Sequence, residues 1–251
     1  MYNVAISLAV MVVGTILITL FGYPIYAGIL PGLLLGVGSY IYLARRIGAK
    51  VQAIADEAQK AMQGAQPKTE KERDALLDKA IGILSQAFQY EQWQYLLAPE
   101  IHGNVGILKY MKKDYAGAQP HLEKSFARNW MAKAMLGCIH YQAKAEEPMK
   151  AAFEACVTEG GKKESMAWAI YAWCLNSRDQ KDTALAVIGR GIVENPDDDK
   201  LKKLQQQLAN GKRLKMNAYE PGWWQFGLET PRIEMAMQNQ QRFRFGRGRR
   251  R

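Results

Sequence analysis

Histidine, cysteine and clustered carboxylates are the side chains that could carry metal or acid–base chemistry, and here they are scattered. His102, His121 and His140 recur 19 residues apart, which on a helical reading puts them in different helices without companion ligands. No metal site and no cofactor is expected from them. Cys138, Cys156 and Cys174 are odd in number and form no CxxC pair, so they read as reduced, small apolar residues. Neither HExxH, GxSxG nor a phosphate loop is present. Gly160-Gly161 reads as a helix stop. Asp197-Asp198-Asp199 follow a proline at a helix start, where carboxylates complement the macrodipole. These residues point away from an enzyme.

Charge is the other chemistry available, and it is localised. From Lys212 to Arg251 ten basic residues face only Glu220, Glu229 and Glu234, which accounts for most of the formal net charge of +10. The last stretch, RFRFGRGRRR, carries Arg242, Arg244, Arg247, Arg249, Arg250 and Arg251 between phenylalanines and glycines. Such a tail can pair with anionic lipid. It can equally bind RNA by phosphate pairing and base stacking, dock on an acidic protein face, or stay solvated. Before it, Pro221-Gly222-Trp223-Trp224 is a turn with an aromatic cluster, whose indoles are expected to pack on the last helices.

The elements that would position these groups begin with an anchor. Residues 1–44 contain no Asp, Glu, Lys, Arg or His, and the first charge is Arg45. As helix the stretch would extend roughly 66 Å, about twice a bilayer's hydrocarbon core. Gly22-Tyr23-Pro24 breaks it into Val4–Phe21 and Ile25–Ala44, so a transmembrane hairpin is expected. A cleaved signal peptide is disfavoured by the length and by the lack of a basic n-region. Arg45, Arg46 and Lys50 would hold the following domain on the cytoplasmic side. Gly28, Gly32 and Gly36 form a helix-packing face. It could meet the first span at Ala5, Ala9 and Gly14, or a second copy of the chain as a homo-oligomer.

Beyond the anchor the periodicity is helical throughout, giving an all-α chain. Residues 45–68 form a juxtamembrane amphipathic helix and linker, with Ile47, Val51, Ile54, Ala58, Ala61 and Met62 on one face. Residues 69–210 form a helical domain opened by a Thr69-to-Glu72 capping box, and 211–251 the basic aromatic tail. Breaks near Ala98-Pro99, Lys113-Asp114, Asn129, Ala145-Glu146, Gly160-Gly161, Arg178-Asp179 and Asn195-Pro196 divide the domain into helix pairs.

Those pairs repeat. Gly106, Asp114-Tyr115, Ala118, Leu122 and Phe126 mark one unit. Leu136-Gly137 and Phe153 mark a second, in which Met149 and Cys156 replace small residues, and Ala172, Ala184, Ile188 and Pro196 mark a third. The units start about 31 and 35 residues apart. This pattern resembles the tetratricopeptide repeat, whose period is 34, and the resemblance covers roughly residues 99–196. It implies a TPR-like α-solenoid, closed by the amphipathic helix 197–210 as a cap. It also implies a partner-binding inner face from the first helices, here Glu100, Ile107, Tyr110, Cys138, Tyr141, Trp173 and Asn176. Positions that clamp a peptide carboxylate in some members are Gly103, Ile107, Ala134 and Cys138 here, which cannot do so.

Together these features lead us to expect a membrane-anchored, non-enzymatic scaffold or adaptor that recruits a partner protein on the repeat surface. An RNA- or ribosome-associated membrane protein using the tail, and a structural subunit of a larger membrane complex, are the alternatives.

Overall fold

A computed structural model describes residues 1–63 and 69–229. Among them are ten α-helices with short 3₁₀ and π turns, and no strand. The chain divides into two compact units, Met1–Phe126 and Ala127–Arg251. The linker around Gly64 and Pro67 and the arginines from Arg242 to Arg251 lie outside the described residues.

The first unit begins with α1 (Tyr2–Leu20) and α2 (Ile25–Gln63), both long and apolar enough to cross a membrane. The break between them falls at Phe21–Pro24, where Gly22 takes a positive φ of 85°. Most of their large apolar side chains face outward: among the described residues, every exposed large hydrophobic except Tyr95, Leu96, Met111, Leu185 and Val193 lies within Met1–Tyr42. The two helices pack antiparallel through α2's glycines. A Cβ on Gly28 would strike the Thr15 carbonyl at 2.9 Å, and one on Gly36 the Met11 side chain at 2.9 Å and the Ser7 carbonyl at 3.2 Å. The glycine face is therefore filled by α1. Ala5 and Ala9 do not contribute to it; they are exposed, and Asn3, Ser7 and Gly14 are the buried residues of α1.

Helix α2 runs without interruption through Ala44 to Gln63 and continues through Pro31. Its second half turns amphipathic. Ile47 and Ala58 are buried, with Val51, Ile54, Ala61 and Met62 packed beside them. They meet Leu77, Ala80, Ile83 and Leu84 of α3 (Glu70–Ser85) and Leu97, Ile101, Val105 and Leu108 of α4 (Leu97–Met111). Each well-buried leucine or isoleucine contributes about 2 kcal/mol. Thr69 caps α3 by accepting from the Glu72 amide at 3.2 Å. Helix α5 (Tyr115–Glu123) pairs with α4 and completes the unit.

The second unit holds α6 (Trp130–Gln142), α7 (Glu146–Ala155), α8 (Ser165–Asn176), α9 (Lys181–Glu194) and α10 (Asp199–Ala209). A π turn, Cys156–Gly160, follows α7. Asp198 caps α10 by accepting from the Lys200 and Leu201 amides at 2.8 and 3.0 Å, and Leu201, Leu204 and Leu208 form its buried stripe. The chain then folds back: 3₁₀ turns Met216–Tyr219 and Gly222–Phe226 bury Leu214, Met216, Tyr219, Trp223 and Phe226.

The pairs α4–α5, α6–α7 and α8–α9 share one local construction. Each first helix ends in a residue with left-handed backbone: Lys113 (φ 67°), Lys144 (φ 60°) and Asp179 (φ 61°). Their amides donate back to the carbonyls of Tyr110, Tyr141 and Asn176 at 2.8, 3.1 and 3.1 Å. The next amides, of Asp114, Ala145 and Gln180, reach Lys109, His140 and Leu175 at 3.0, 3.0 and 3.1 Å. This is a Schellman closure, which satisfies carbonyls that a helix end leaves orphaned. Inside each pair a small first-helix residue lets the second helix approach. A Cβ on Gly106 would lie 2.8 Å from Leu122, and one on Gly137 2.7 Å from Phe153. Ala172 and Ile188 hold the corresponding places and are fully buried.

Candidate functional site

The residues expected to face a partner do not share one environment. In α4, Glu100 is exposed in the first turn and Ile107 is half-buried. Tyr110 is only 2% exposed and packs on Tyr115, with ring centroids 5.1 Å apart. The ring therefore fills the space between α4 and α5.

In the second unit Cys138 is fully buried, and Trp173 is 5% exposed. What covers Trp173 is the chain's own returning segment, since the Trp223 ring meets it edge to face at 5.3 Å. Trp223 in turn donates its indole N–H to Glu229 at 3.1 Å, and Arg213 pairs with the same carboxylate at 3.3 Å. Tyr141 stands at the edge of this cluster, 5.8 Å from the Trp173 ring. The Arg178 guanidinium lies 4.9 Å over its face and donates to its backbone carbonyl. Tyr141 and Asn176 stay half-exposed. The surface available at this end of the first helices is therefore Tyr141, Asn176 and Arg178, with Trp173 as its floor.

Arg178 and Trp223 are additions that no repeat register reveals. A second addition is the imidazole pair of the first unit. His102 and His121 lie roughly equidistant from the α4–α5 turn, so the hairpin brings them face to face with Nδ1 atoms 2.9 Å apart. Lys109 Nζ stands 3.5 Å from His121 Nε2. An ammonium only donates, so His121 accepts at Nε2 and donates its Nδ1 proton to Nδ1 of His102. Phe88 packs on both rings, at 4.9 and 6.2 Å. Burial, and then the charge of Lys124, depress the His102 pKa; burial, then Lys109, depress that of His121. Among the described residues no cluster of three or more His, Cys, Asp or Glu is placed to hold a metal.

A shallow cleft of about 270 Å³ opens between the π turn after α7 and α9, lined by Val157, Thr158, Lys162, Trp168, Arg190 and Val193. Its charges are internally paired. Arg190 grips Glu154 with two bonds of 2.9 and 2.8 Å, and Lys162 meets Glu194 at 3.1 Å. These cations hold both carboxyls below their ordinary pKa.

The thiols are unsuited to nucleophilic work. All three are free and buried. Cys156 donates to the Trp130 carbonyl at 3.2 Å, and burial pushes its pKa up to about 12. A thiolate is the reactive form, and burial disfavours it. No protein-family model, curated protein or solved structure matches this chain.

Proposed function

We propose that this chain is a membrane-anchored, non-enzymatic adaptor, in which α1 and the first half of α2 cross the bilayer as a hairpin and the helix pairs form a TPR-like array that recruits a protein. The observation that carries this reading is the unbroken passage of α2 from an outward-facing apolar segment into the core of a helical domain. A mobile tether would need a linker there; a continuous helix fixes the domain to the anchor. The repeated Schellman closure at Lys113, Lys144 and Asp179 supports the repeat reading, since one turn geometry recurs at the spacing of the units. Arg45, Arg46 and Lys50, at the end of the charge-free stretch, favour a cytoplasmic domain. Glu100, Ile107, Tyr141 and Asn176 are the partner contacts this reading leaves accessible.

Two measurements test it. Topology reporters fused at Met1 and at Arg251 should report the same, cytoplasmic, side; opposite sides would end the hairpin. Purification of the intact chain in mild detergent should recover a partner that is lost on Tyr141→Ala while the fold persists by circular dichroism. An identical set of co-purifying proteins from both chains would remove the adaptor role from this surface.

A further inference from the structure

The turn Glu91–Leu96 is built against the hairpin at one level. The amides of Tyr2 and Asn3, orphaned at the start of α1, donate to the carbonyls of Gln92 and Trp93 at 3.0 and 3.4 Å. The Tyr2 hydroxyl adds a 2.7 Å bond to the Gln92 side chain, and its ring meets Trp93 edge to face at 5.5 Å. On the other helix the Gln94 amide donates to the Ala44 carbonyl at 2.9 Å. The turn thus touches the first residue of α1 and the last residue of the charge-free part of α2. Charge begins one residue later, at Arg45.

Tyr95 and Leu96 follow directly and are 74% and 47% exposed. Outside Met1–Tyr42 they are the one adjacent pair among the exposed large hydrophobics of the described residues; Met111, Leu185 and Val193 stand singly. Tyr95 and Leu96 directly follow Gln94, which is bonded to the end of the charge-free part of α2. Tyrosine and tryptophan are the residues that settle where hydrocarbon meets headgroups, because an apolar ring and a polar handle are satisfied there together.

We propose that the turn Glu91–Leu96 is a second membrane contact of the domain, with Trp93, Tyr95 and Leu96 seated at the headgroup–acyl boundary of the leaflet nearest Ala44. The proposal rests on the hairpin reading above. The occupant is phospholipid, because the turn is bonded to both helices at the end of the charge-free stretch, where a hairpin would leave the bilayer. Seated this way, the turn would stop the domain from rotating about the axis of α2, and so set which face a partner meets.

The test uses the full chain in single-copy nanodiscs, labelled with an environment-sensitive fluorophore at one introduced cysteine, the native thiols being buried. Four sites are compared: Leu34→Cys within α2's apolar half, Tyr95→Cys and Leu96→Cys in the turn, and Gln63→Cys at the end of α2. The last lies roughly 28 Å beyond Ala44 along the helix. Lipids with a nitroxide near the headgroup should quench the labels at 95 and 96 by about twofold or more and leave 63 unquenched, as interfacial burial requires. Deep nitroxides should quench 34. Quenching at 34 without quenching at 95 and 96 overturns this proposal and leaves the hairpin standing. Absence of quenching at 34 overturns the hairpin itself. Shielding of 95 and 96 that appears only in discs holding two copies would assign the patch to a second chain and also overturn it.

Discussion

Trp223 lies edge to face on Trp173, 5.3 Å between ring centroids, so the segment after α10 covers the face of α8 that a simple repeat array would leave open. With α6, α9 and α10 packed on the other sides, nine of α8's twelve residues, Ala167–Leu175, are buried. Removing a buried indole leaves a large cavity and typically costs about 3–5 kcal/mol. Trp223→Ala should lower the thermal midpoint of the detergent-solubilised chain and speed tryptic cutting at Lys212, Arg213 and Lys215. If cutting is unchanged while the midpoint falls, the segment is held by Leu214 and Met216 and the indole is not its latch.

The hairpin offers an internal control. A Cβ on Gly32 would meet the Thr15 hydroxyl and lie 2.8 Å from the Met11 carbonyl, whereas one on Gly38 meets nothing within 4 Å. Backbone cannot yield as a flexible side chain can, so Gly32→Val should destabilise the hairpin by about 1–3 kcal/mol. Gly38→Val should be close to neutral. Unfolding midpoints in one detergent decide it; equal losses would mean the interface differs from the one described.

The imidazole pair makes the first unit pH-dependent. Both folded-state pKa values lie below the ordinary 6.5, so the unfolded chain binds protons more readily than the folded one. The stabilisation is fully present above pH 6.5 and is lost as pH falls below it through the folded values. Two imidazolium rings also cannot share the 2.9 Å Nδ1 contact, since both would donate. Stability should therefore fall as the pH drops below about 6.5, and the fall should shrink in the His102→Phe, His121→Phe double variant. An unchanged profile in that variant would place the titration elsewhere.

The left-handed turns give a prediction of opposite sign. Lys144 holds φ 60° with a Cβ that crowds the neighbouring carbonyl, a conformation glycine adopts without that strain. Lys144→Gly should stabilise the second unit by about 0.5–1 kcal/mol after its greater unfolded-state entropy is deducted. A loss of stability, read by chemical denaturation in detergent, would show that the lysine side chain does more than cover the turn.

Much of the local architecture was legible in the residues. A charge-free stretch broken at Gly22-Tyr23-Pro24 can hardly be other than two apolar helices, because the pattern depends only on neighbouring side chains. Thr69 as a cap, the stripe Leu201–Leu204–Leu208, and the small residues Gly106, Gly137 and Ala172 are local or periodic in the same way. By itself the sequence determined the elements and their repetition. Tertiary structure decided which faces were used. The residues of α1 that meet α2's glycine face are Ser7, Met11, Gly14 and Thr15 rather than Ala5 and Ala9, because the partner helix selects the rotational phase. Tyr110 became core because α5 folds Tyr115 against it, and Trp173 became the floor beneath Trp223 because a segment some fifty residues downstream in sequence folds back onto α8. His102 and His121 became a pair only once the α4–α5 turn set their register. Each of these outcomes depends on contacts between residues far apart along the chain, and spacing within a single element does not encode them.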